Sequence, residues 1–453
     1  MTASPITNPA TDATTDPASG SPSAAPTTRR RLPGPLRAES RRGIGPWAGG
    51  AVLVTALATM ASKAATWQGS WGETQSLLHT AAALLCGPLA VAAGCWHGGR
   101  ERRRGTEELR GSAARSRLAQ TLMAVVPLVL WVLAGYAAAA AAVSVATWPY
   151  TSSGSPVPSL AAADVAWLAT ATTVGFVAGR LIPWRVTAPL LAACTYVVVG
   201  IPAYFSSDLR FLGPTEQTEI ERYLPVWWQG PVMVTWFGGL GLAALLAYAV
   251  RRRLIALAPL AAATAAAVLI VQTGDGMWRE DPAHARQVCG GSVPRICVSR
   301  FDSALLPEVT EALAGASSRL EGVEGAPVGY RHDGQKPKPG EVALPYLSRG
   351  WTVARDRLTD PDGYAREAVD HMLWRYCSVA AHDKDRRGFE RVETTTQAVL
   401  DWLAPLDGAE HARGGRTPAA TRLAEMGDPE RREWLSRFFA TRKSCTPKDV
   451  PTL

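Results

Sequence analysis

The sequence predicts an all-α polytopic membrane bundle of seven transmembrane helices followed by an α-rich (α+β) extracytoplasmic domain. Three observations carry this. Uncharged apolar runs near the length of a bilayer crossing recur as far as residue 273 and then stop. Arginines collect in alternate connections between those runs, and four cysteines, beginning with the close pair Cys289 and Cys297, lie beyond the last one. The two halves meet where Arg251, Arg252 and Arg253 precede the run Leu254 to Gln272, which leads into Met277-Trp278-Arg279-Glu280-Asp281-Pro282.

Residues 1–45 are rich in Ala, Pro, Ser and Thr and close on Arg29, Arg30, Arg31, Arg37, Arg41 and Arg42. Such a stretch buries too little apolar surface to offset its ordering entropy, so a disordered cytoplasmic tail is expected. It lacks the order of a signal peptide, because its basic part is far from the N-terminus and no small-residue cleavage site follows the first span.

The membrane domain is expected over 46–273, with spans at about 46–66, 77–96, 119–143, 161–180, 187–205, 231–250 and 254–273. Each is near the roughly 20 residues that cross about 30 Å of hydrocarbon. The fourth and fifth are rich in Ala and Thr and only Leu181 to Val186 separates them, so one re-entrant hairpin is their alternative reading. Basic residues fill the tail, the loop 97–118, the connection with Arg180 and Arg185, and Arg251 to Arg253, whereas 67–76 and 148–160 contain none. Arginine and lysine beside helix ends stay cytoplasmic, which predicts the N-terminus inside and the C-terminal domain outside. Trp67, Trp71, Trp148, Tyr150, Tyr204, Trp227, Trp228 and Trp278 are expected as anchors at the outer interface.

The net charge of +8 is concentrated beside apolar runs, which makes it a topology signal and argues against a nucleic-acid partner. The partner it implies first is the lipid bilayer, and self-association into a homo-oligomer stays open. Lys63, His79, Asp164 and Arg180 are the ionisable residues of the spans, and all are expected near span ends with their heads in water. Without carboxylates or histidines at mid-depth, a proton- or sodium-coupled transporter is disfavoured. Gly238-Gly239-Leu240-Gly241 reads as close helix packing.

The outer domain is expected over 274–453. Leu306, Val309, Leu313 and Leu320 mark a helix over 303–320, the stretch 322–345 reads as short strands or a long loop, and helices are expected over 360–381, 388–403 and 428–443. Asp360-Pro361 and Asp428-Pro429 supply the cap and first-turn proline of two of them. Cys289, Cys297, Cys377 and Cys445 form an even set in this half, which suits an oxidising compartment. Four cysteines allow three pairings; the short loop with Gly290, Gly291 and Pro294 favours Cys289 with Cys297, leaving Cys377 with Cys445. Cys86, Cys95 and Cys194 lie in apolar runs as small hydrophobes.

No nucleotide-binding loop, H-E-x-x-H or G-x-S-x-G pattern occurs, so no cofactor, metal or catalytic residue is assigned and an enzyme is not expected. His371, with Glu367 one turn earlier, is the best acid–base or metal candidate, against a partly buried, hydrogen-bonded histidine. The loop 97–118 carries seven arginines among Glu101, Glu107 and Glu108, more than topology needs, which marks Arg102, Arg103 and Arg104 as candidates for docking a partner.

Trp278-Arg279 with Asp281-Pro282, Cys289-x-Gly291-x-x-Pro294-x-x-Cys297-Val298, Leu306-Pro307 and Glu433-Trp434-Leu435 with Cys445 resemble the outer-domain pattern of uncharacterised actinobacterial membrane proteins labelled ABC-transporter permease-like. The resemblance covers the last span and the outer domain. It implies a permease-like subunit of an export or resistance system working with a separate ATPase on the cytoplasmic side. An ordinary export permease has six spans and no large C-terminal outer domain, so the alternative is a membrane-anchored extracytoplasmic binding or sensing protein without transport activity.

Overall fold

The computed structural model describes residues 43–105, 115–152, 154–201, 208–215, 222–291, 293–332, 336–375, 377–378, 385–405 and 417–453. The tail expected over 1–45, apart from its last three residues, lies outside the described residues, as do Tyr204 and positions 106–114 of the arginine loop.

The first half is helical. It comprises α1 (Gly45–Ser62), α2 (Trp71–Gly98), α3 (Arg117–Thr147), α4 (Pro158–Leu181), α5 (Thr187–Gly200), α6 (Gln229–Ala249) and α7 (Leu257–Thr273). Five of these, α2, α3, α4, α6 and α7, are long and apolar enough to cross a membrane. α5 stops after 14 residues, about 21 Å at 1.5 Å per residue, and so falls short of a crossing within the described residues. α2 contains a π turn at Ala82–Cys86, just before Pro88. Proline removes one helical donor, and a wider turn absorbs the break without ending the helix. α3 opens with Ser116 Oγ accepting the Ala119 N–H at 3.2 Å and runs through Pro127.

Glycine brings the backbones together. A Cβ on Gly175 or Gly179 would stand 2.2 or 2.0 Å from the carbonyl oxygen of Val91 or Cys95, and one on Gly94 or Gly98 would stand 2.2 Å from that of Thr172 or Phe176. α2 and α4 therefore cross with two reciprocal glycine pairs, each four residues apart, the small-residue packing of helices in lipid. Gly49 and Gly135 do the same between α1 and α3. Of the run Gly238-Gly239-Leu240-Gly241, Gly239 and Gly241 are close-packing positions, where a Cβ would stand 2.8 Å from the Pro259 carbonyl oxygen and from Thr170 Oγ1, whereas Gly238 has nothing within 4 Å of its would-be Cβ.

The second half has its own core. In a four-stranded sheet, β3 (Gln287–Gly290) is antiparallel to β4 (Arg295–Ser299), and β5 (Gly329–Arg331) and β6 (Glu341–Ala343) continue in parallel. α8 (Leu306–Arg319), α9 (Pro361–Leu373), α10 (Arg386–Leu403), α11 (Pro418–Glu425) and α12 (Asp428–Ala440) pack against it around Leu313, Tyr330, Val369, Leu403 and Phe438. Asp360, Asp385 and Thr417 cap α9, α10 and α11 through their side-chain oxygens.

Two expectations are corrected here. α9 ends at Leu373, eight residues before the expected 381, because Trp374 turns out of the helix and the chain crosses toward the end of α12. There Arg375 donates to the Thr441 carbonyl and stacks 5.2 Å over Phe438. Trp67 is no interface anchor: it is buried, and its indole N–H donates to the Met60 carbonyl at 2.7 Å. Trp148 and Trp227 are exposed at helix ends, as an anchor requires.

Candidate functional site

The polar residues of α2, α3 and α4 converge inside the bundle. His79 Nδ1 lies 2.5 Å from Asp164 Oδ1, and the Tyr136 hydroxyl donates to Asp164 Oδ2 at 2.5 Å. Asp164 is six residues into α4 and Tyr136 eleven residues from the end of α3, so the cluster sits about 9–16 Å inside the end of the bundle that bears the C-terminal domain. The expectation that Asp164 and His79 reach water at span ends is therefore overturned. Asp164 is 3% exposed, and the side chains turn inward because each supplies what another lacks. Hydrocarbon offers no partner to a carboxylate, so a histidine and a phenol on neighbouring helices hold it. Arg180 does not reach outward either; it grips Glu101 with both arms, Nη2 at 2.8 Å from Oε1.

Directly above this cluster the C-terminal domain rests on the bundle. One turn before His79, Gln75 accepts from Val157 N at 2.7 Å and donates to Val157 O at 3.1 Å, tying α2 to the start of α4. Over that tie lies a cavity of about 240 Å³ between the halves, walled by Trp71, Gln75 and Val157 from the bundle and by Asp281, Phe301 and Arg349 from the domain. Arg349 is buried, with Asp302 at 2.9 Å and Asp356 at 3.8 Å from its guanidinium.

The seat itself is specific. β1 (Tyr223–Pro225), before α6, pairs antiparallel with β2 (Trp278–Glu280), after α7. Ser152 donates to the Phe301 carbonyl at 2.9 Å, and Arg355 donates to Gln68 Oε1 at 2.7 Å. Arg355 and Asp356 form the two-residue turn between β7 (Val353–Ala354) and β8 (Arg357–Leu358), both with positive φ, 51° and 60°. A two-residue hairpin of this kind demands the left-handed region, and here non-glycine side chains bear its cost while reaching Gln68 and Arg349.

His371 lies exposed near the end of α9, on the wall of a cavity of about 830 Å³ formed with Glu341, Asp370, Trp374, Arg442 and the Cys377–Cys445 bond. Glu367 does not line it. Among the described residues no three His, Cys, Asp or Glu side chains are placed to hold a metal ion. Glu341 instead receives Arg331 Nε at 2.6 Å and the Lys338 N–H at 2.9 Å, which hold its carboxyl down at about 2. A depressed carboxylate stabilises the fold above its ordinary range and loses that contribution as pH falls through the depressed value. The C-terminal domain is accordingly expected to keep this sheet edge at pH 4 and to loosen it toward pH 2; amide exchange across 329–343 reads the difference.

Both cysteine pairs are bonded, Cys289 to Cys297 across the β3–β4 ladder and Cys377 to Cys445 between the segment after α9 and the one after α12. The second closes 68 residues, worth about 4 kcal/mol in the chain-entropy account. Cys445→Ser is expected to lower the C-terminal domain's stability by that order and to free the Cys377 thiol, read by thiol labelling under non-reducing conditions. Labelling at Cys297 instead would contradict the pairing.

The docking candidates lie on the short helix Arg100–Arg104 after α2. Arg102 and Arg104 are exposed, whereas Arg103 turns back, donating to the Trp96 carbonyl and lying 4.5 Å over its ring. The structure does not bring these arginines together with His371 or with the cavity between the halves. The buried cluster was missed from sequence because His79, Tyr136 and Asp164 are far apart along the chain; its one signal was a histidine and a carboxylate in spans otherwise short of ionisable side chains.

Fold and site together define a helical membrane protein with an ionisable cluster inside its bundle and a disulfide-bonded domain seated above it. Comparison with protein families, curated proteins and solved structures found no match for this chain.

Proposed function

We propose that this chain is a seven-span membrane protein, N-terminus inside and domain outside, whose outer domain binds or senses an extracytoplasmic ligand and passes its state into the bundle. One observation supports this above the others: the domain is fastened to the loops of α2, α3 and α4 by Arg355–Gln68 and Ser152–Phe301, directly over His79, Tyr136 and Asp164. An inert anchor needs no such seat. A change in the outer domain would reach the buried cluster through Gln75, which shares α2 with His79.

The permease-like reading, a subunit working with a separate ATPase, draws support from the exposed Arg102 and Arg104. One purification addresses both. The full chain is isolated from its native membrane, identified for co-purifying proteins, and followed by amide exchange as cell-envelope extract is added. Sensing predicts protection at 337–343 and 370–374 together with altered exchange at 66–79. The permease reading predicts an ATPase that is lost with Arg102→Gln/Arg104→Gln. A reporter active only outside the membrane should give signal when fused after residue 280 and none after residue 105; the reverse pattern overturns both readings.

A further inference from the structure

At the arginine end of the bundle, an apolar groove of about 380 Å³ runs between α1, α2 and the start of α5. Every residue lining it is apolar, among them Ile44, Trp47, Ala51, Leu89, Trp96 and Pro189. On α2 it extends from Leu89 to Trp96, about 10 Å along the axis. Six of its lining residues are alanines, Ala48, Ala51, Ala90, Ala92, Ala93 and Ala188, and small side chains leave room between the larger ones. Two tryptophans, Trp47 at 82% and Trp96 at 45% exposure, flank the end nearer the arginines.

That end is positively charged. Arg103 folds onto Trp96, its guanidinium 4.5 Å from the ring centre. Burial pushes the Arg103 guanidinium below its usual range, Cys95 acts against this, and Arg185 and Arg104 push the same way, so three arginines stand close enough to repel. Arg185 immediately precedes the segment that gives Ala188 and Pro189 to the groove. The acid of the Arg100–Arg104 turn, Glu101, is already engaged by both arms of Arg180. An apolar slot thus opens beside a cationic rim at the arginine end of α2.

We infer that this groove binds one acyl chain of an anionic phospholipid, with the lipid phosphate between Arg103 and Arg185. The charge selects the class of lipid: a net negative headgroup relieves the repulsion among the arginines, whereas a choline headgroup carries a cation into the same place. The slot selects lipid over free phosphate, since a small anion gains nothing from the alanine walls. Trp47 and Trp96 supply the amphipathic rings that sit at headgroup level. The inference does not depend on what the outer domain senses.

The test uses the full-length chain in detergent, with bound lipid counted by native mass spectrometry during titration with phosphatidylglycerol or with phosphatidylcholine of the same chains. Phosphatidylglycerol is expected to bind at least about tenfold more tightly. Arg103→Gln/Arg185→Gln should remove that preference and leave phosphatidylcholine unchanged. Ala51→Phe, at an exposed position on the slot wall, should weaken both lipids while the chain stays monodisperse. Equal affinity for the two lipids, or full preference in the double arginine variant, overturns the inference. Displacement of phosphatidylglycerol by millimolar inorganic phosphate also overturns it, because the rim is then an anion site without a lipid.

Discussion

Gly175→Leu is expected to prevent α2 and α4 from closing and to cost the bundle about 3 kcal/mol or more, the upper range for overpacking a close-packed interior. The reason is local. The added Cβ would stand 2.2 Å from the Val91 carbonyl and 2.9 Å from Val91 Cα, and those atoms are backbone that cannot rotate away. Separating the helices to admit it would also strain the opposite pair, Gly94 against Thr172, and the Arg180–Glu101 ion pair at the arginine end. Gly175→Ala should already show most of the loss, since the first carbon makes the clash. Gly238→Ala is the control: nothing lies within 4 Å, and replacing glycine inside a helix by alanine gains about 0.5–1 kcal/mol. Thermal unfolding in nanodiscs and the monodisperse fraction on gel filtration read both, and a Gly175→Leu protein as stable as Gly238→Ala would refute the close crossing.

Asp164→Leu should have the second largest effect. It removes the acceptor shared by the half-buried His79 and the buried Tyr136. Breaking a buried pair costs about 3–5 kcal/mol in soluble proteins, while single interhelical hydrogen bonds in membranes average about 0.6. Because this change removes a bond from a histidine as well as from a phenol, the expected loss is about 2–4 kcal/mol. Asp164→Asn keeps an acceptor for Tyr136 and should recover part of it, and Tyr136→Phe should cost about 1 kcal/mol, near one net hydrogen bond. Equal stability for Asp164→Leu and Asp164→Asn would mean that the cluster does not hold the three helices together.

The cluster also changes which arguments about function stand. From sequence, the spans lacked a mid-depth carboxylate and a coupled transporter was disfavoured; with Asp164, His79 and Tyr136 gathered inside the bundle, that argument no longer applies.

Much of the architecture was legible along the chain because it rests on local composition. An apolar run must be a helix in lipid to satisfy its backbone, so α2, α3, α4, α6 and α7 could be placed within a few residues. The Asp360 cap and first-turn proline marked the start of α9; at α12 Pro429 marked the start, but Asp428 is the first helical residue and Gly427 takes the cap position without a side-chain bond, while eight residues with glycines between them were enough to join Cys289 to Cys297. Tertiary structure alone decided the rest. The parallel pairing of β4, β5 and β6 joins three-residue segments that have no readable pattern of their own, and their register is set by the helices that cover them. Which glycines approach a backbone depends on where two helices cross, so Gly94, Gly175 and Gly239 meet one while Gly238, beside Gly239 in the same run, meets nothing. Depth likewise follows from neighbours: counting from a span end put Asp164 near water, but a partner on each of two adjacent helices makes the interior the better solvent for its carboxylate.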